Sequence, residues 1–167
     1  MTHYSRLSEL ERKVILFHYE KSSPKNITLP FKQLSDEDRI FMATEGRFIL
    51  WELEKRKLHE NEVVSRSWII LSKQNLSLLL QFQENNVLQI SELFAHINID
   101  GVWFLENGIL RVKFTYEKQH YDINIIANNN SLIHSALQII DGKRIELLKV
   151  IPLSHAKYGS PLIEEGS

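Results

Sequence analysis

The sequence has no cysteine, little glycine and no long apolar run, and each absence removes a class of protein. Without cysteine, the chain forms no disulfides, no thiolate metal sites and no cysteine nucleophile, which fits a reducing cytoplasm. Six glycines leave little material for a phosphate-binding loop, and the common nucleotide-binding, serine-hydrolase and zinc-protease motifs are missing. No apolar run approaches the length of a membrane span.

An excess of charge of one sign is also missing, because 20 basic side chains are matched by 21 acidic ones. No overall field therefore draws the chain to nucleic acid or to an anionic membrane, and we expect neither as a partner. The 167 residues, 43% of them hydrophobic, suffice for one domain with a full core. Since the N-terminus lacks an apolar signal segment, we expect a cytoplasmic domain over residues 1–153 and a mobile tail over 154–167.

The strongest structural signal is Asn107-Gly108, which joins two runs of strand-forming residues. A type I′ turn needs positive φ at both central positions, and Asn-Gly tolerates it, so the dipeptide predicts a β-hairpin. A two-residue turn also fixes the register. It places three pairs opposite each other: Trp103 with Val112, Phe104 with Arg111, and Leu105 with Leu110.

A second turn at Glu117-Lys118 extends the hairpin into a meander over residues 102–126. One face of the meander becomes apolar, with the pairs Leu110/Ile125, Val112/Ile123 and Phe114/Tyr121. The other face is mainly polar, with the pairs Arg111/Asn124, Lys113/Asp122 and Thr115/His120. Such a sheet is covered by helices on one face and can bind something on the other.

The remaining sequence predicts an α+β fold, in which two N-terminal helices pack on one face of a mainly antiparallel sheet. The first helix covers residues 7–19 and has Ser8 and Glu11 as a capping pair. The second covers residues 35–59 and begins with Ser35 and three acidic residues.

The sheet is expected to include a strand pair formed by residues 68–71 and 76–82. Residues 87–99 are ambiguous between a strand and a short helix. A short helix over 132–140, ended by Asp141-Gly142, then precedes a last strand over 143–153.

Chemical signals are weak, and we expect no cofactor and no metal. The seven histidines form neither an i, i+4 helical pair nor an H-x-H strand pair. The best catalytic candidates are His120 as a general base and Asp122 as the group that orients it, since both project from one face of a strand. Arg111 or Lys113 would then stabilise developing negative charge. Because the register pairs Asp122 with Lys113, an ordinary surface ion pair is the favoured interpretation.

The same face carries the predicted binding residues, which are Phe104, Arg111, Lys113 and His120. An aromatic ring beside cations can stack on a base, can be covered by arginine within one protein, or can belong to a protein interface. The basic run over residues 55–57 lies among glutamates, so its field is largely cancelled.

Three classes of function remain. The first is a non-catalytic protein-interaction module, such as an adaptor, chaperone, inhibitor or immunity-type protein, that uses the outer sheet face or a sheet edge. The second is a small-ligand-binding protein or enzyme with a pocket between sheet and helices, lined by Trp68, Trp103, Tyr116 or Tyr121. The third and weakest is a nucleic-acid-binding accessory factor. The partner protein is not identified by any motif, and a homodimer through a sheet edge or the helical face stays open.

Overall fold

The computed structural model describes residues 8–21, 46–72, 77–92 and 98–153, and in these ranges the chain forms a closed antiparallel barrel. Eight strands follow one another around the barrel in sequence order, and the last strand pairs with the first. The elements, in chain order, are α1 (Glu9–Lys21), α2 (Gly46–Leu53), β1 (Lys55–Arg56), α3 (Glu60–Val64), β2 (Ser67–Leu71), β3 (Ser77–Phe82), β4 (Val87–Glu92), β5 (Asn98–Glu106), β6 (Ile109–Tyr116), β7 (Gln119–Asn128), β8 (His134–Ile140) and β9 (Arg144–Leu153).

Closure of the barrel overturns the predicted α+β architecture, which was an open sheet with helices packed on one face. The predicted strand pair is present as β2 and β3, but β2 also pairs with β9, with Ile70 opposite Val150. β7 likewise pairs with β8 as well as with β6. Turn residues predict one hairpin at a time, whereas closure depends on pairing between strands far apart in sequence, which no local pattern reports.

The predicted short helix over residues 132–140 is wrong, because most of this segment is strand β8. All seven residues of β8 are buried, so both faces of the strand are covered. A strand that is buried on both faces loses the alternation of polar and apolar residues, and its short apolar run resembles a buried helix. The last strand predicted over 143–153 is confirmed as β9.

The second predicted helix, over residues 35–59, is wrong at its C-terminal end. Helix α2 ends at Leu53, and the two-residue strand β1 follows it and pairs with the end of β7. Residues 35–45 lie outside the described ranges. In the ambiguous segment, residues 87–92 are strand, and residues 93–97 lie outside the description. The predicted tail over 154–167 also lies outside it.

The meander and the first helix cap agree with the sequence prediction. All nine opposing pairs predicted for the meander are present in β5, β6 and β7. Asn107, Gly108, Glu117 and Lys118 all have positive φ, as the two tight turns require. At the start of α1, Ser8 and Glu11 exchange side-chain and backbone hydrogen bonds of 3.1 Å each, which is the predicted capping pair.

The barrel interior is filled by apolar side chains. Trp68 and Trp103 are fully buried in it, and their indole N–H groups donate to the backbone oxygens of Val63 and Gln83 at 3.1 and 2.8 Å. An eight-stranded barrel has an interior that side chains can just fill, or that can hold one small ligand. In this barrel, the described side chains fill the interior. Trp68 and Trp103 are therefore core residues rather than walls of a ligand pocket.

Helices α1 and α2 pack against the outside of the barrel. Their buried aromatic residues Phe17, Phe48 and Trp51 form an apolar cluster with Ile109 and Ile126 of the outer barrel surface. This cluster leaves part of the outer surface uncovered, and the candidate site lies there. Within the described ranges, no helix combines the length and the apolar character needed to cross a bilayer.

Candidate functional site: an outer groove

A groove of about 560 Å³ crosses the outer surface of β5 to β8. Strands β6 and β7 supply most of its polar side chains, because successive residues of a strand alternate between the interior and the outer surface. Ile139 of β8, opposite Asp122 in the register, also lines the groove but is itself buried. The groove is lined by Val102, Lys113, Phe114, Thr115, His120, Tyr121, Asp122, Ile139, Asp141 and Gly142.

The turn between β8 and β9 forms one end of the groove and is tied to the start of β7. Asp141 and Gly142 have φ of 53° and 64°, the left-handed region that Gly and Asp tolerate better than most residues. The Asp141 N–H donates to the His120 backbone oxygen at 2.8 Å, and its carboxylate accepts from the His120 N–H at 2.7 Å. These two bonds hold the His120 backbone at the end of the groove.

The exposed His120 side chain is paired with Thr115. Its Nδ1 atom lies 3.0 Å from the Thr115 hydroxyl oxygen, across the predicted cross-strand pair. The structure does not bring the Asp122 carboxylate into a hydrogen bond with this ring among the described residues. The predicted relation of base and orienting carboxylate is therefore not formed.

Asp122 instead belongs to a buried cluster with two arginines. Its carboxylate accepts a hydrogen bond from Arg111 at 3.1 Å and lies 3.9 Å from Arg12 of α1. The Asn124 amide donates to it at 3.4 Å, and the same Arg111 guanidinium lies 3.6 Å from Glu106. Burial, followed by the charge of Arg111, lowers the pKa of Arg12, and the charge of Asp122 partly opposes this. Asp122 thus helps to attach α1 to the barrel.

The predicted surface of Phe104, Arg111 and Lys113 is assembled, but its members differ in accessibility. The Arg111 guanidinium carbon lies 5.2 Å from the centre of the Phe104 ring, and the Lys113 nitrogen lies 5.9 Å from it. Arg111 is buried and Phe104 is half-buried, so these two are engaged within the protein. Lys113 is exposed and has no carboxylate partner among the described residues, because the Asp122 carboxylate forms its ion pair with Arg111 instead.

Tyr121 marks the boundary between groove and interior. Its ring stacks on Phe114 with centres 4.7 Å apart, and its hydroxyl donates to Gln119 at 3.2 Å. Burial is the largest cause that raises the pKa of Tyr121, so the phenol stays protonated near neutral pH. The ring closes the groove toward the core and supplies no ionised group.

Sequence reasoning found Lys113, His120 and Asp122 but missed Val102, Ile139, Asp141 and Gly142 as groove residues. For Ile139, Asp141 and Gly142 the cause is the helix predicted over 132–140, which removed β8 from the sheet. That prediction makes Asp141-Gly142 a helix end, although Asp-Gly between apolar runs is also a hairpin signal. The Asp-Gly dipeptide is thus the sequence feature from which this end of the groove could have been predicted.

No grouping of three or more His, Asp or Glu side chains within the described ranges has the geometry of a metal site. No protein-family model matches the sequence, and comparison with curated proteins and with solved structures returns no significant match. The chemistry of the groove is therefore the basis for a functional proposal.

Proposed function

We propose that this protein is a non-catalytic binding module that holds a segment of a partner protein in the outer groove. The observation that carries the proposal is the combination of an exposed apolar side chain, Val102, with two exposed polar side chains, Lys113 and His120, in one groove. Interfaces combine apolar contact with a few directed polar groups in this way. The filled interior supports an external site.

The bonding of His120 and Asp122 supports a non-catalytic role. A histidine that acts as a general base is usually oriented by an acceptor on its second ring nitrogen. Among the described residues, the His120 side chain bonds only with Thr115, and Asp122 is held by Arg111. An adaptor, chaperone, inhibitor or immunity-type protein needs binding without turnover and fits this arrangement.

The groove also favours a particular partner chemistry. Val102 is exposed beside Lys113, so an apolar side chain of the partner can lie against Val102. The Lys113 ammonium can then bind a carboxylate of the partner. We therefore propose a partner segment with an acidic residue next to an apolar one. We place this binding in the cytoplasm, a reducing compartment in which proteins rarely depend on disulfides, so a chain without cysteine lacks nothing there. Strand addition has less support, because each of the strands β2 to β9 has two neighbours in the closed barrel.

The test is affinity capture of the tagged full-length protein from its native cells, with and without nuclease, followed by mass spectrometry. We expect one stoichiometric protein that survives nuclease treatment. Lys113→Glu should weaken its binding roughly tenfold or more, since a like charge replaces the proposed partner of a carboxylate. Lys149→Glu, which changes an exposed lysine on β9, is the matched control and should bind normally. Equal retention by both variants would contradict the proposed surface.

A small molecule in the same groove is the second candidate, because about 560 Å³ lies in the usual range for ligand sites. It predicts that a metabolite raises the melting temperature by mass action. His120→Ala should abolish this shift, and Lys149→Ala should leave it intact. Capture of no protein together with such a shift would replace the first proposal with this one.

A further inference from the structure

The Asn107-Gly108 dipeptide at the tip of the β5–β6 hairpin has a chemical property beyond its turn geometry. Asparagine is a thermolabile residue that loses its side-chain amide, and a following glycine favours this loss. Glycine has no side chain to hinder the approach of its backbone nitrogen to the asparagine amide carbon. Asn107 is exposed, so water reaches its side chain. The hairpin tip therefore combines the reactive sequence with access to solvent.

The Asn107 side chain also connects the hairpin to helix α1. Its amide nitrogen donates to the Glu9 carboxylate at 2.7 Å. Glu9 is the first residue of α1, and its other carboxylate oxygen lies 3.5 Å from Lys13, one turn further along the helix. An amide nitrogen donates a hydrogen bond to a carboxylate, whereas an ionised carboxylate only accepts. Loss of the Asn107 amide therefore replaces this hydrogen bond with repulsion between two negative charges.

The backbone of the hairpin tip is held by the segment that follows β1. The Leu58 N–H donates to the Gly108 backbone oxygen at 2.9 Å. Lys57 packs so closely on Gly108 that a Cβ atom at this position would clash with it. These contacts restrict the rotation that brings the Gly108 nitrogen to the Asn107 side chain. The reaction therefore follows local opening of the tip, and the bond to Glu9 slows it by holding the amide.

We propose that Asn107 is a site of spontaneous deamidation and that the product loosens the N-terminal end of α1. The Gly108 nitrogen bonds to the side-chain carbon of Asn107 and gives up its proton, the bond from this carbon to Nδ2 breaks, and ammonia leaves a cyclic succinimide. Water then adds to either carbonyl of the ring and opens it to aspartate or isoaspartate. Both products place a carboxylate beside Glu9, and the reaction needs water as its only co-reactant.

Storage of the full 167-residue chain in mildly alkaline buffer, followed by mass spectrometry of its peptides, tests the reaction. The peptide that contains Asn107 should gain the mass difference between a hydroxyl and an amino group, and part of it should contain isoaspartate. Asn86 is an internal control, because its backbone is also left-handed, with φ of 66° against 52° for Asn107, but Val87 follows it. An Asn107 that stays intact, or an Asn86 that reacts as fast, would overturn the proposal.

Removal of the acceptor tests whether Glu9 restrains the Asn107 amide. Glu9→Ala should deamidate about two- to fivefold faster than the wild type, the factor expected from the loss of one exposed polar contact. Glu84→Ala, at an exposed glutamate between β3 and β4, is the matched control and should react at the wild-type rate. Equal rates for Glu9→Ala and the wild type would remove the link between Asn107 and α1 on which the proposal depends.

The Asn107→Asp variant tests the effect of the product on α1. Hydrogen exchange of backbone amides in the N-terminal half of α1 should become about threefold faster, because two carboxylates now face each other. Adding Glu9→Gln removes one of these charges and should restore the wild-type rate. Asn85→Asp, at an exposed position between β3 and β4, should leave the exchange of α1 unchanged. Wild-type exchange in Asn107→Asp would show that the product does not loosen α1.

Discussion

The inside of the barrel and the outer surface beneath the helices are both buried, but different interactions hold them. The interior cluster consists of apolar side chains from all eight barrel strands and α3, packed around Trp68 and Trp103. The outer cluster has fewer apolar residues and is bordered by charged groups, including Arg12, Arg111 and Asp122. Apolar contact favours burial in general, whereas hydrogen bonds and ion pairs require one geometry. The apolar interior thus stabilises the barrel, and the hydrogen bonds and ion pairs outside it determine where the helices dock.

Glu20 of α1 forms several of the polar bonds that attach the helices to the barrel. One carboxylate oxygen accepts from the Trp51 indole at 2.8 Å and from Lys55 at 2.9 Å, and the other accepts from the Ser135 hydroxyl at 2.7 Å. Burial raises the pKa of Glu20, but its hydrogen bonds and the charge of Lys55 outweigh this and leave the pKa below its usual value. One ionised side chain of α1 therefore connects α2, β1 and β8.

Trp103→Ala should have the largest effect on stability, because it opens a cavity in the interior. We expect a loss of about 3–5 kcal/mol in the free energy of unfolding, measured by urea denaturation. Val102→Ala, at the exposed neighbouring position on the same strand, should change it by less than about 0.5 kcal/mol. Similar losses for both variants would mean that the interior does not dominate the stability.

Glu20→Ala should have an intermediate effect that is confined to the helices. The Trp51 indole and the Ser135 hydroxyl lose this acceptor, while Lys55 retains the Asn128 amide oxygen, and we expect a cost of about 2 kcal/mol. Hydrogen exchange of backbone amides should become faster in α1 and α2 while the barrel strands remain protected. Glu52→Ala, which removes a more exposed ion pair with Lys13, should change exchange little. Equal loss of protection in the barrel would remove the distinction between the two regions.

Titration of His134, a polar residue buried at one end of the barrel interior, should have the smallest effect on stability. This residue is buried and its Nδ1 atom accepts from the Asn128 N–H at 3.0 Å. Burial, followed by the charge of Arg56, lowers the pKa of His134 from 6.5 to about 4. The unfolded chain thus takes up a proton that the folded protein excludes. This contribution to stability is complete above about pH 6.5 and is lost as the pH falls toward 4.

Urea denaturation at about pH 7 and about pH 5 measures this effect. The free energy of unfolding should fall by roughly 1–2 kcal/mol more in the wild type than in His134→Asn, whose amide oxygen can accept the same bond without titrating. The same pH dependence in both proteins would show that other groups cause it.

The sequence predicted those parts of the fold and site that depend on neighbouring residues. Two tight turns determine the positions of Lys113, His120 and Asp122, and their register was confirmed. The ion-pair partner of Asp122 was not predictable in this way. Arg111, rather than the directly opposite Lys113, binds it, in a cluster that includes Arg12 from a distant helix. Such a choice depends on burial and on tertiary packing, which register alone does not contain.

β8 shows the same limit for the fold. Its outward residues Ser135, Leu137 and Ile139 are buried instead of facing water, so the strand lacks the polar positions that would have revealed its period. Helix α1 covers part of this outer face, as the hydrogen bond from the Ser135 hydroxyl to Glu20 of α1 shows. A strand covered by a helix on the outside and by the core on the inside can be recognised only once both are in place.

The pairing of β2 with β9 also has a consequence for synthesis on the ribosome. Until β9 leaves the exit tunnel, β2 and β8 both have unpaired backbone groups along one side, and such edges can associate with other nascent chains. Contacts between residues so distant in sequence form slowly, since a long loop must close first. The nascent chain therefore has a vulnerable interval that ends when the strand Arg144–Leu153 completes the ring.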